Sequence, residues 1–162
     1  MEEEIVFMKI IIREARLDEI NTLRSFEQGI IEFERPFAPN LREDPISYYD
    51  IEALIRNDDA HVIVAEHDNT IIGSGYALIK KSKPYNKPDI YAYLGFMYVV
   101  PEYRGKGVNG MIIDTIIQWS KERSVTEFQL EVYAGNDIAL NAYKKRSFKP
   151  CLVQMRMNTD EF

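Results

Sequence analysis

A strand-like segment that runs into a glycine-rich turn and then into a helical repeat leaves a chain few ways to fold. Ile90 to Val99 is β-branched and aromatic, the composition of a strand. Met111, Ile112, Thr115, Ile116 and Trp119 recur at helical spacing, so a helix is expected to begin near Gly107 to Gly110. Between them lies Val99-Val100-Pro101-Glu102-Tyr103-Arg104-Gly105-Lys106-Gly107-Val108-Asn109-Gly110. The first turn of a helix leaves N–H groups unpaired and gathers partial positive charge, which makes an anion site. Gly105, Gly107 and Gly110 allow positive φ and close approach of a ligand to the backbone, and Arg104 and Lys106 add charge. The stretch is suited to phosphate. It lacks GxxxxGK[ST] and GxGxxG spacing, which argues against nucleoside triphosphates and dinucleotides.

A chain of 162 residues, 46% hydrophobic and 12% aromatic, fits one domain able to bury roughly 70% of its extended surface. Residues 1–162 are therefore expected to form a single domain, with residues 1–8, or Met1 to Phe7, as an extension. The net charge of −6 argues against general nucleic-acid binding, which leans on a basic face. The lone Cys151 fits a reducing compartment. No apolar run approaches a membrane span and the acidic start is no signal peptide, so a cytoplasmic protein with no membrane partner is expected. His61 and His67 have no ligand-like spacing to other metal-binding side chains, and no metal is expected.

In chain order, Lys9 to Ala15 reads as a strand. Asp18 then caps a helix through Leu23, Phe26, Ile30 and Ile31 that fails before Pro36. Glu34 falls in the proline-bearing loop that follows, and Ser47 caps a second helix to about Asn57. His61–Glu66 and Ile71–Lys80 read as a hairpin around Asp68-Asn69, with Gly73 and Gly75 marking a bulge or close packing. Thr126–Tyr133 reads as a strand, Asn136 starts a short helix, and Leu152–Met157 is a closing strand opened by Cys151. The order βααβββαβαβ predicts an α/β protein, a mixed central β-sheet flanked by helices.

Two motifs in register carry a resemblance. Arg104, Gly107 and Asn109 stand at the fixed positions of an Arg/Gln-x-x-Gly-x-Gly/Ala signature, with Asn109 in place of the usual small residue. Asn136, Ala139, Tyr143 and Phe148 match Asn-x-x-Ala-x-x-x-Tyr-x-x-x-Gly-Phe, with Ser147 where glycine is usual. Separated by a helix and a strand, they resemble the paired motifs of the GNAT superfamily of N-acetyltransferases, over Lys9 to Met157. The resemblance implies the acyl-CoA N-acyltransferase fold and acetyl-CoA as acetyl donor. Its pyrophosphate would bind at Arg104, Gly105, Lys106, Gly107, Val108, Asn109 and Gly110, and its pantetheine arm at Met97, Tyr98 and Val99, chiefly the Met97 and Val99 amides. Asn136 would hydrogen-bond the same arm or cap its helix. Tyr143 would be the general acid for the departing thiolate, a phenol of pKa near 10 against a thiol near 8.5.

Many similar proteins carry a glutamate on the strand before the loop; here Gly95 and Phe96 stand there. Glu34, Glu131 and Tyr93 are the substitutes for a base, or the neutral fraction of the amine reacts unaided. Glu32, Glu34, Asp44 and Asp50 suggest a cationic acceptor; Arg35 and Arg42 suggest a carboxylate-bearing one. The implied function is transfer of an acetyl group to a primary amine of a small molecule or protein. The alternatives are a catalytically impaired acyl-CoA sensor, or an acyltransferase with another acyl group or acceptor. Dimerisation is common among similar proteins, so a homodimer is also implied.

Overall fold

The computed structural model describes residues 8–161; Met1 to Phe7, read as an extension, lie outside the described residues. The strands are β1 (Ile11–Glu14), β2 (Ala60–His67), β3 (Thr70–Lys81), β4 (Ile90–Val99) and β5 (Phe128–Gln129). The helices are α1 (Ile20–Glu34), α2 (Ile51–Arg56), α3 (Val108–Lys121) and α4 (Asp137–Lys145). The sheet runs β1-β2-β3-β4-β5, antiparallel up to β4 and parallel between β4 and β5. The expected mixed sheet with flanking helices is what forms.

Why the sheet is covered on both faces is legible in β2. Val62, Ile63, Val64 and Ala65 are all buried, a run that only a two-sided environment accepts. Val62 and Val64 join Leu23, Phe26 and Ile30 of α1 and Ile51 of α2 in one cluster. Ile63 and Ala65 point the opposite way by the two-residue period of a strand. On that face a Cβ added to Gly73 of β3 would lie 3.6 Å from the Ala65 Cβ and 3.1 Å from Ile112 of α3.

The chain divides into two compact units. One is the described residues through Phe33 with Arg42–Glu131, and it holds the whole sheet, α2 and α3. The other is Glu34–Leu41 with the described residues from Val132 onward, and it holds α4.

Several boundaries differ from the sequence reading. Asp18 sits inside a 3-10 turn, Leu17–Glu19, that leads into α1, and Arg16 is its N-cap. Asp50, not Ser47, caps α2: its carboxylate accepts the Ala53 N–H at 3.0 Å. Glu34 is the last residue of α1 rather than a loop residue. Of the strand expected over Thr126–Tyr133 only Phe128 and Gln129 pair, so Glu131 lies beyond it. Leu152–Met157 forms no strand; Leu152, Val153, Met155 and Met157 are 73–89% exposed, and Cys151 is exposed too. An alternating pattern states a preference, and only a ladder partner turns it into a strand.

Candidate functional site

The second half of β4 is where the sheet departs from regularity. Ser74 pairs with Tyr98 and Tyr76 with Gly95, so Phe96 and Met97 together stand opposite Gly75. The extra residue is a β-bulge, which bends the strand and sharpens its twist. Phe96 takes φ +59, a conformation that costs a bulky side chain about 1–3 kcal/mol. Its surroundings hold it there: the buried Ser74 hydroxyl donates to the Phe96 carbonyl at 3.0 Å, and the ring packs 5.4 Å from that of Tyr49.

Beyond the bend β4 leaves its parallel neighbour. Pairing with β5 is confined to Ala92 with Phe128 and Tyr93 with Gln129. On the β3 side, Val100 N–H donates to the Ile72 carbonyl at 2.9 Å. Antiparallel pairs alternate, so Tyr98 also spends its backbone groups on β3, and Val99 turns its own away. The Val99 carbonyl indeed accepts from Arg104 Nε at 2.8 Å. The N–H and C=O of a strand residue leave on the same side, so the Val99 amide faces the open side. Tyr98 contributes its ring instead, tilted against Phe26 at 4.8 Å and seated where a side chain on Gly29 would collide at 2.7 Å.

After a 3-10 turn over Pro101–Tyr103, Gly105 and Gly107 take φ +75 and +82, which only glycine adopts without strain. A Cβ on either would meet nothing within 4 Å, so the loop is open above both. Gly107 is the N-cap of α3, and the N–H groups of Val108, Asn109 and Gly110 form its first turn. The Asn109 Oδ1 is buried with no hydrogen-bond partner, an acceptor waiting for a donor. Lys106 Nζ lies 5.3 Å from the Tyr103 ring centroid, and the Tyr103 hydroxyl shares a 2.7 Å hydrogen bond with His67 Nδ1. The arrangement offers anion-binding amides, a guanidinium and an ammonium beside a strand end that has left its parallel neighbour. It suits a phosphorylated ligand with an amide-bearing arm.

Of the proposed bases in this unit, Glu131 is exposed and Tyr93 is partly buried. Two buried polar side chains were missed by sequence reasoning. Tyr76 is 5% exposed, and its phenol is pushed up to about 12 by burial and then by the charge of Glu131. Glu27 is 3% exposed and accepts the backbone N–H groups of Tyr48 (3.0 Å) and Tyr49 (2.7 Å). It ties α1 to the segment before α2, beside a cavity of about 590 Å³ lined also by Arg24, Gln28 and Asp50. A glutamate on the apolar stripe of α1, between Leu23 and Ile30, was the signal for it.

The second unit gathers Glu34, Asn136 and Tyr143. Asn136 caps α4, its Oδ1 accepting the Ala139 N–H at 3.2 Å. The helix closes with Phe148 N–H on the Tyr143 carbonyl (3.1 Å), Ser147 N–H on the Lys144 carbonyl (3.1 Å) and the Tyr143 and Phe148 rings edge-on at 5.7 Å. That is a Schellman closure, whose left-handed residue is Ser147 at φ +71. It explains why glycine is the expected residue there. Burial raises the Tyr143 phenol above its ordinary value, and the charge of Glu34 raises it further. Burial likewise raises the Glu34 carboxyl. Among the described residues no group of three metal-binding side chains is close enough to hold an ion, and no helix is long and apolar enough to cross a membrane.

Comparison with known proteins agrees with this fold. The family model described as Acetyltransferase (GNAT) family matches residues 27–148. A thialysine N-epsilon-acetyltransferase of Mus musculus is 36% identical over 52 residues, 32% of this chain and 31% of that protein, so the match spans about a third of the relative's length. N-alpha-acetyltransferase 30 of Schizosaccharomyces pombe is 25% identical over 105 residues, 65% of this chain and 68% of that protein. The crystal structure of a predicted acetyltransferase with acetyl-CoA from Clostridium acetobutylicum superposes with a TM-score of 0.73 at 23% identity, covering 95% of this chain and 99% of that one. With a family match running from α1 through α4, the chain belongs to the GNAT family of acetyltransferases.

Proposed function

We propose that the chain is an acetyl-CoA-dependent N-acetyltransferase acting on a primary amine of a small molecule or protein. The observation that carries the reading is the splay of β4 from β5 at the strand end, Met97 to Val99, that runs into the Arg104–Gly110 loop. The loop amides with Arg104 and Lys106 would hold the pyrophosphate, and the strand amides would hold the pantetheine arm. The donor supplies an activated acetyl thioester. The remaining work falls to side chains of this chain.

Tyr143 is assigned as general acid for the thiolate. Its raised phenol pKa keeps it protonated throughout the neutral range, at the cost of a somewhat more uphill proton transfer. Glu34, with a carboxyl raised by burial, is the candidate to accept the amine proton; the alternative is that the neutral fraction of the amine reacts unaided. Glu131 is the other carboxylate assigned to the acceptor side. Asn136 serves its helix as a cap and is free to serve the arm through its amide nitrogen. We read both units as one acetyltransferase domain, which the family match across residues 27–148 supports. The lone Cys151 supports a cytoplasmic setting, and the frequency of dimers among similar proteins supports a homodimer.

A thermal unfolding scan with and without acetyl-CoA tests the reading, followed by thiol release with a panel of amines. Ligand at about 100 times Kd adds ~2.7 kcal/mol, roughly 5–11 °C for a domain of this size. No shift at saturating acetyl-CoA would remove the loop as a donor site. Gly95, which leaves β4 without a carboxylate, favours the second reading of an acyl-CoA sensor; a shift without turnover of any amine is its signature.

A further inference from the structure

Position 95 is not an empty place on β4. A Cβ added to Gly95 would lie 2.8 Å from Cε1, Cζ and the hydroxyl oxygen of Tyr76, so the end of that phenol fills the volume through which a side chain at 95 would project. The two residues are ladder partners one step before the Phe96 bulge, where β4 begins to turn its amides to the open side. The ring is fixed by Tyr49, edge-on at 5.7 Å, and by Tyr93 at 6.3 Å. The charged groups around it are Glu131, whose charge reaches the phenol, and Lys80, whose Nζ lies 5.1 Å from the Tyr93 ring centroid. A neutral hydroxyl therefore replaces any side chain of residue 95.

We propose that Tyr76 is a specificity-determining residue of the acceptor site, its hydroxyl hydrogen-bonding the nitrogen of a primary amine at the place a residue 95 side chain would occupy, with Glu131 drawing in the ammonium form. The inference rests on the N-acetyltransferase reading above. A phenol kept neutral takes no proton from an ammonium at physiological pH. The ammonium instead loses one proton to water before attack. The nitrogen lone pair then forms the N–C bond, and the C–S bond breaks with its electron pair going to sulfur. The second amine proton leaves nitrogen as a proton is delivered to the thiolate, so one proton in all reaches solvent. Selection thus falls on amines that supply a neutral fraction themselves.

Initial-rate kinetics with acetyl-CoA test this, using thialysine and a short peptide with a free α-amino group as probe amines. Tyr76→Phe keeps the ring packing and removes only the hydroxyl. The expected result is a roughly tenfold fall in kcat/KM for the amine, with the KM for acetyl-CoA and the melting temperature unchanged. Wild-type kcat/KM should rise tenfold per pH unit up to the pKa of the probe amine. Glu131→Gln should raise the amine KM, by a factor that shrinks in high salt. Equal kcat/KM for wild type and Tyr76→Phe, with the wild type active, overturns the role of Tyr76 alone. A plateau that sets in more than about one pH unit below the pKa of the probe amine itself marks a dedicated base and overturns it as well. A wild type that acetylates neither probe overturns the amine-acceptor reading, and the role of Tyr76 falls with it.

Discussion

Arg104 reaches back across the loop it opens: its Nε donates to the carbonyl of Val99 at 2.8 Å, while its guanidinium lies 5.6 Å from the centroid of the Tyr98 ring. One side chain thereby joins the end of β4 to the glycine turn.

The first prediction follows from that double attachment. Lysine keeps the charge and loses the second nitrogen needed to span strand and ligand. Arg104→Lys should weaken acetyl-CoA binding about tenfold, read by calorimetry or by the ligand-induced thermal shift. The melting temperature of the free protein should barely move, because the loop is exposed. Unchanged affinity would show that Nε serves the fold and not the loop.

Tyr143 provides a pH test. Its working form is the protonated phenol, and burial followed by the Glu34 charge raises its pKa. Activity that depends on it is therefore present at neutral pH and is lost only as pH rises through that raised value, above about 10. Tyr143→Phe should lower kcat by roughly 10²-fold, erase the alkaline limb and leave acetyl-CoA affinity within a factor of about three. A full-rate variant would end its assignment as general acid.

Ser147 holds a left-handed conformation that glycine adopts freely. Ser147→Gly should stabilise the α4 closure by about 0.5–1 kcal/mol, the relief of αL strain less the added entropy of the unfolded chain. Urea unfolding would register it as a higher midpoint at unchanged slope. A lower midpoint would mean that the serine side chain contributes more than its backbone costs.

The His61 ring is stacked on Trp119, centroids 4.9 Å apart and planes 2° from parallel, with the Arg123 guanidinium 4.0 Å from the same indole centroid. Burial lowers the His61 pKa; Glu14 pulls it up and Arg123 pushes it down. Lowering means that the unfolded chain binds the proton more readily. The stability contribution is thus present above about pH 6.5 and is lost as pH falls through the lower folded value. Trp119 is the only tryptophan, so its emission should be quenched in that acid window. His61→Phe should remove the transition; a titration that persists in the variant would assign it elsewhere.

Some of the site was readable because it is local. Arg104 to Gly110 lies on consecutive residues, and positive φ at Gly105 and Gly107 follows from glycine in a turn that opens a helix. Asn136 as a cap was equally readable, since capping spans three residues. Glu34 was misplaced by one element because the 3-10 turn Arg35–Phe37 carries the chain directly on from the end of α1. Asp50 displaced Ser47 as a cap once the backbone of Tyr48 and Tyr49 was drawn onto Glu27, twenty residues and more away in sequence.

By itself the sequence determined what depends on neighbours along the chain: strand β4 to its last residue, the glycine loop, the start of α3, and the Asn136–Phe148 motif. Tertiary structure alone decided what depends on register and partners. A strand pattern does not state which residue lies opposite, so Tyr76 over Gly95 and the Phe96 bulge opposite Gly75 came only with the ladder. Nor does it state whether a partner exists, and so the alternation at Leu152–Met157 remained exposed and outside any strand. Backbone hydrogen bonding between strands is a two-body event, and one strand's sequence specifies only one of the bodies.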